Sequence, residues 1–240
     1  YGYRDRLISN GTPAGKIEVI TNGVDPEETK LTEAKDADNI REKYELHDAF
    51  VVLYAGNMGA AQGLDVILEA AKQLEHNDRI KFLLIGEGVE KEGLKKKAAS
   101  YHLSNVHFID GKAKAELNDY YQVADICVVC LKKHPLFDIT IPSKLFDCMA
   151  MGKPVLLGIG GEAKAIVEEL EAGYSFSPED ADSLVEQIIT AYEQPDRLKE
   201  IELSIRDKML EKYDRTKLSQ KLEDVLAKTL STVKKRGDVH

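Results

Sequence analysis

The chain has 240 residues and a formal net charge of −9, with 43% hydrophobic residues and no Trp. That length allows one large domain or two small ones with a real core, and the acidic balance argues against a general nucleic-acid binder, which needs a basic footprint. No apolar run reaches the about 18–20 residues of a membrane span, and the 3 cysteines make no disulfide framework.

Residues 1–50 carry turn signals, with Asn-Gly and Gly-Val-Asp-Pro marking sharp turns around one short predicted strand, KIEVI at 16–20. Residue 1 is Tyr rather than Met, so a natural start is not expected there. A charged stretch predicts a helix over 33–45. From residue 51 the signals alternate. Apolar, β-rich runs predict strands at 51–56, 80–86, 105–111, 125–131, 154–161 and 172–177. Helical periods fill 64–74, 90–101, 114–124, 142–151, 163–170, 180–194, 195–213 and 216–230. In the first of these, Leu64, Ile67, Leu68, Ala71 and Leu74 share one face. The tail TVKKRGDVH is expected to be frayed.

Continuous apolar strands alternating with helices predict an α/β fold, a parallel sheet with helices on both faces. Cys127 and Cys130 match a C-x-x-C spacing, but they fall on a predicted strand. Positions i and i+3 of a strand point to opposite faces, so both thiols are read as core. Reduced thiols suit a cytoplasmic setting.

Ligands of parallel α/β sheets bind outside the carboxyl ends of the strands. Those ends here read AGNMGAAQG, IGEGVE, IDGKAK, CLKKHPLFDIT and GIGGEAK. Gly56 and Gly59 close a strand-to-helix turn that is neither G-x-G-x-x-G nor a P-loop. The helix within IPSKLFDCMAMGKPVL divides into faces. Leu145, Cys148 and Met149 point to the sheet, while Lys144 and Asp147, three residues apart, point toward the strand ends. Pro142 is expected at the first helical position, Gly152 at the end and Pro154 as the stop. The 6 His are scattered without Asp, Glu or Cys at ligand spacing, so no metal site is expected, and His134 reads as an exposed loop residue.

Taken in order, KIEVITNGVDPE, VVLYAGNMGAAQGLDVILEAAKQL, FLLIGEGVEKEGLKKKA, VHFIDGKAKAELNDYYQVADICVV and KLFDCMAMGKPVL resemble the C-terminal half of a GT-B glycosyltransferase, closest to the retaining family 4 enzymes. The IPSKLF form of the last motif is similar to that of bacterial enzymes of cell-surface polysaccharide synthesis. The likeness covers residues 7–230. It implies a Rossmann-like donor-binding domain over 27–213, an interdomain linker and first strand over 1–26, and a helix and tail over 214–240 that return toward an N-terminal domain absent from the sequence.

The resemblance implies a nucleotide-diphosphate sugar as donor substrate, with a UDP-sugar favoured over a GDP-sugar but the base not decided by side chains, and no cofactor. The family's ribose-binding glutamate corresponds to Asp147. Ser143 and Lys144 would stand at the diphosphate, with Lys144 stabilising the leaving phosphate and the backbone of Gly56 and Gly59 nearby. Two usually basic positions correspond to the neutral Asn57 and Gln62. The base would lie near Gly86, Glu87 and Gly88 and near Gly111, Lys112 and Ala113. The sugar would approach Gly160, Gly161 and Glu162. A further glutamate of many relatives corresponds to Ile139, with Asp138 beside it. Other partners implied are the missing domain of the same protein, with membrane contact only through it, and no nucleic acid. A nucleotide-sugar 2-epimerase half and a non-catalytic nucleotide-sugar-binding module remain alternatives.

Overall fold

The structure, a computed structural model, describes residues 1–27, 29 and 35–237. Its sheet has six strands: β1 (Phe50–Ala55), β2 (Ile80–Ile85), β3 (Val106–Ile109), β4 (Ile126–Cys130), β5 (Val155–Gly158) and β6 (Gly173–Ser175). The spatial order is β3-β2-β1-β4-β5-β6, and all five strand pairings among the described residues are parallel. Phe50 opposes Ile80 and Val52 opposes Ile126, so β1 is central and buried on both faces. That burial explains its unbroken apolar run.

Helices α1 (Gly2–Ser9) and α2 (Ala37–Lys43) precede the sheet. Between the strands run α3 (Asp65–Gln73), α4 (Lys91–Ser100), α5 (Lys114–Val123), α6 (Ser143–Ala150) and α7 (Gly161–Leu170). The chain closes with α8 (Ala181–Tyr192), α9 (Pro195–Tyr213) and α10 (Arg215–Gly237). The Asp180 carboxylate caps α8 by accepting from the Ser183 N–H at 3.0 Å, and Pro195 opens α9 where its missing N–H costs nothing.

The core forms two layers. One holds Val51, Leu53, Leu83, Cys127 and Val129 with Leu145, Phe146 and Met149 of α6. The other holds Phe50, Val52, Tyr54, Phe82, Val128 and Cys130 with α3 and α8. Cys127 and Cys130 therefore do sit on opposite faces, and all three cysteines are buried free thiols. Full burial of each large apolar side chain contributes about 1.5–3 kcal/mol before chain entropy is counted.

Five expectations need correction. KIEVI forms no strand. Its segment instead runs beside α10, where Lys221 Nζ donates to the Val19 carbonyl at 2.8 Å and pairs with Glu18 at 3.3 Å. The Val24–Asp214 bridge lies just beyond it. Helix α1 was not expected at all. The helix expected over 33–45 is observed as Ala37–Lys43, and residues 33 and 34 lie outside the described ones. Pro142 caps α6 rather than occupying its first turn. Finally, α10 runs on to Gly237 instead of stopping at 230, so the tail is helical up to there, and residues 238–240 lie outside the described set.

Candidate functional site

Strand order reverses between β1 and β4, which places the fold's crevice at their carboxyl ends. Helix α6 follows β4 and delivers Lys144 to that point. Its ammonium donates to the Tyr54 hydroxyl at 2.6 Å and lies 4.2 Å from the centroid of the Tyr54 ring. Tyr54 is the penultimate residue of β1 and belongs to the opposite core layer from α6. The lysine stem thus crosses the end of the sheet. Burial lowers the Lys144 pKa from the ordinary lysine value, and the thiols of Cys130 and Cys148 partly oppose this. Burial likewise raises the Tyr54 phenol far above its usual value, so it stays protonated.

The 56–62 turn meets this ammonium at Gly56. A Cβ on Gly56 would lie 3.1 Å from Lys144 Nζ. The Asn57 and Gln62 side chains both stand over Gly59, at 2.7 and 3.1 Å from where its Cβ would be. Gln62 Oε1 is buried without a protein partner, whereas Asn57 is exposed. Ser143 is exposed at the first residue of α6, where backbone N–H groups have no intrahelical acceptor. Lys144, Gly56, Asn57, Gly59 and Gln62 are therefore one cluster.

The next loops form a second cluster. Gly86 has φ +151° and a Cβ there would collide with the Gly56 carbonyl; a Cβ on Gly88 would collide with Met58. Lys91, with 6% of its side chain exposed, bridges Glu87 at 2.9 Å and Asp110 at 2.6 Å. Glu87 Oε1 also accepts from the Gly111 N–H at 2.9 Å. Burial opposes the charge on Lys91, but its bonds to Asp110 and Glu87 prevail and raise its pKa. The hydrogen bond from Lys91 holds both carboxylates below their ordinary values. Lys112 faces Glu116 at 3.4 Å, and Glu116 accepts from the Ala113 N–H at 3.0 Å to open α5.

A third cluster lies at the start of α7. Gly161 has φ +56° and a Cβ there would collide with the Asp138 carbonyl. The Asp138 carboxylate stands 2.8 Å from the Cβ position of Gly160. Glu162 accepts from the Gly2 N–H, and Tyr3 Oη pairs with Thr140 Oγ1 at 2.7 Å, so α1 packs over this corner. Asp147, half-buried on α6, contributes to raising the pKa of Tyr121 of α5, after burial and the thiols of Cys148 and Cys127. His134 is exposed, with Nδ1 accepting from the Leu136 N–H at 3.1 Å. Among the described residues, no group of three or more His, Cys, Asp or Glu could hold a metal ion, and no helix is long and apolar enough to cross a membrane.

The sequence profile of the glycosyl transferases group 1 family matches residues 36–208. The chain belongs to that family.

Similar proteins extend the match. The probable glycosyltransferase WbjE of Pseudomonas aeruginosa is 31% identical over 140 residues, 58% of this chain and 34% of that protein. The lipopolysaccharide 1,2-N-acetylglucosaminetransferase of Salmonella typhimurium is 26% identical over 233 residues, 92% of this chain and 58% of that protein. The chain thus spans about a third to three-fifths of these relatives. HepE of Anabaena, solved with UDP-glucose, has the same fold, with a TM-score of 0.81 at 20% identity, covering 94% of this chain and 61% of HepE. The Rossmann-like parallel sheet expected of a GT-B half is the fold observed.

In this group 1 chain two contributors escaped the sequence reading. The apolar pattern of β1 hides the role of Tyr54; an aromatic with a hydroxyl at the end of a buried strand is the available signal. Lys91 sits among the charged residues of α4. Nothing in its spacing shows that it is buried, because its partner Asp110 comes from another strand end.

Proposed function

We propose that the chain is the donor-binding domain of a retaining glycosyltransferase. It would move a sugar from a nucleoside diphosphate sugar to an acceptor in bacterial cell-surface polysaccharide or glycoconjugate synthesis. The observation that carries this reading is the Lys144 ammonium at the β1/β4 crevice, beside Gly56 and the start of α6. A diphosphate needs positive charge and amide donors, and a helix N-terminus with one lysine offers both. The same groups would stabilise negative charge developing on the leaving phosphate, so Lys144 would serve transfer as well as binding.

In this reading Asp147 accepts from the ribose hydroxyls one turn further along α6. The loops at Gly86–Gly88 and Gly111–Lys112 border the base. Gly161, Glu162 and Asp138 border the sugar. Asn57 and Gln62 are neutral, so Lys144 carries the cationic role and amides supply the remaining donors. The complex of HepE with UDP-glucose supports a UDP-sugar donor. Residues 1–26 would be the linker from an N-terminal domain, 27–213 the donor domain, and 214–240 the return toward that domain, whose surfaces would meet acceptor and membrane. A cytoplasmic location fits three buried free thiols.

Calorimetric titration with UDP, GDP and uridine tests this. UDP should bind at least about tenfold more tightly than uridine, because charge-assisted contacts contribute about 1.5–3 kcal/mol. Equal affinities would remove the phosphate assignment, and GDP binding more tightly than UDP would remove the choice of base.

A further inference from the structure

We propose that Tyr54 is the positioning residue that holds the Lys144 ammonium at the carboxyl end of β1 and couples it to the 56–59 turn. The inference rests on the reading of Lys144 as a diphosphate ligand, and it adds a residue to which neither motif nor spacing assigned a role.

Tyr54 is 1% exposed, and its ring packs in the α3 and α8 layer of the core. Phe would fill that space. The hydroxyl is thus the informative group, since a buried phenol must find partners. It has two. Its proton goes to the Asn57 carbonyl at 2.6 Å, and its oxygen accepts from Lys144 Nζ at 2.6 Å. A phenol has one proton, so donation to Asn57 turns the lone pairs toward the ammonium. The ammonium sits at the hydroxyl end of the ring, 4.2 Å from its centroid, so the hydrogen bond rather than the ring face holds it.

The consequence is a continuous link from α6 through Tyr54 to the backbone of the turn. A lysine side chain is flexible, and its head would otherwise sample many positions in water. Here the ammonium is fixed beside Gly56, where no side chain intervenes, and the same hydroxyl fixes the Asn57 peptide. Charge and turn are therefore preorganised together, and a diphosphate meets a cradle already set. Tyr54 touches no substrate in this arrangement; it acts through Lys144 and Asn57.

A double-mutant cycle tests the proposal, with UDP and uridine titrated into the wild-type chain, Tyr54→Phe, Lys144→Met and the double variant. Tyr54→Phe should weaken UDP binding about 5- to 20-fold and leave uridine within about twofold. In the Lys144→Met background, Tyr54→Phe should cost UDP clearly less than in the wild-type chain, because only its bond to the Asn57 carbonyl remains to be lost. Equal loss for UDP and uridine, an equal loss in both backgrounds, or no loss with Lys144→Met clearly impaired would each overturn the role of Tyr54 alone. Lys144→Met binding UDP like the wild type would remove the phosphate reading, and this inference with it. A second readout needs no variant of Tyr54. The Lys144 ε-methylene protons, assigned by their loss in Lys144→Met, should show nuclear Overhauser contacts to the Tyr54 ring; their absence would also overturn the proposal.

Discussion

Gly86 lies against Gly56 so closely that their two loops meet backbone to backbone, with no room for a side chain. The contact joins the ends of β1 and β2, and Gly86 holds φ at +151°, a value L-residues rarely adopt. Gly86→Ala should therefore destabilise the fold by about 2–4 kcal/mol, since strain and collision act together. Urea denaturation of the variant measures this. A midpoint shift worth less than about 0.5 kcal/mol would show that the loops have slack, and that the close approach does not fix the crevice.

The Lys91 bridge leads to a different kind of effect. Lys91→Met should leave the sheet intact and loosen the Gly111 loop, because Glu87 then loses the cation that orients it. Hydrogen exchange at the Gly111 amide should rise at least about tenfold, while exchange in β1 is unchanged. The pH dependence has a definite sign. Glu87 and Asp110 have lowered pKa values, so their contribution is present above the ordinary carboxylate range and lost as pH falls through the lowered values. The wild-type loop should therefore loosen only in strong acid. Gly111 exchange identical in variant and parent would contradict this account of the loop.

Much of the fold was legible because burial on both sheet faces leaves a simple trace. The runs FVVLYA and IKFLLI are nearly continuous apolar stretches, and each became a strand. KIEVI alternates polar and apolar residues just as convincingly, yet alternation reports only which side chains are covered. A strand also needs a partner ladder, and here the carbonyl of Val19 is taken by a side chain of α10. Helix α1 has no buried residue, so no apolar stripe announced it; Tyr3 and Leu7, four apart and both exposed, were the only hint. At the site, Lys144 and the glycines were legible from their place at strand ends. Tyr54 and Lys91 were not, since their roles depend on partners 90 and 19 residues away.

If Lys144 binds the diphosphate as proposed, its lowered pKa makes that binding sensitive to alkaline pH. The ammonium faces Tyr54 of β1, Cys130 of β4 and Cys148 of its own helix. Binding a diphosphate requires the charged form, so affinity should fall as pH rises through a value below that of ordinary lysine. The ratio of UDP to uridine affinity cancels ionisation of the base. Above the phosphate's own ionisation, that ratio should decline before the ordinary lysine range is reached. A ratio that stays flat up to the ordinary lysine range would place the phosphate away from Lys144.

At the corner of Gly161 and Asp138, a methyl group should separate sugar from nucleotide. Gly161→Ala forces a displacement at the start of α7, because the new Cβ meets the Asp138 carbonyl. UDP-glucose affinity should fall about tenfold, while UDP affinity changes less than about threefold, as expected when contacts to one part of a ligand are lost. Equal losses for both ligands would move the sugar away from this corner.

In the proposed site Lys144 and Asp147 hold two parts of one ligand, diphosphate at the start of α6 and ribose one turn later. Calorimetric titration of Lys144→Met and Asp147→Ala with UDP and uridine tests it most directly. Lys144→Met should lose UDP affinity about 10- to 100-fold and keep its uridine affinity, while Asp147→Ala should lose both ligands by similar factors, each change reflecting one charge-assisted interaction. Two variants that bind UDP and uridine like the parent would contradict the claim and reduce the pair to charges on a helix surface.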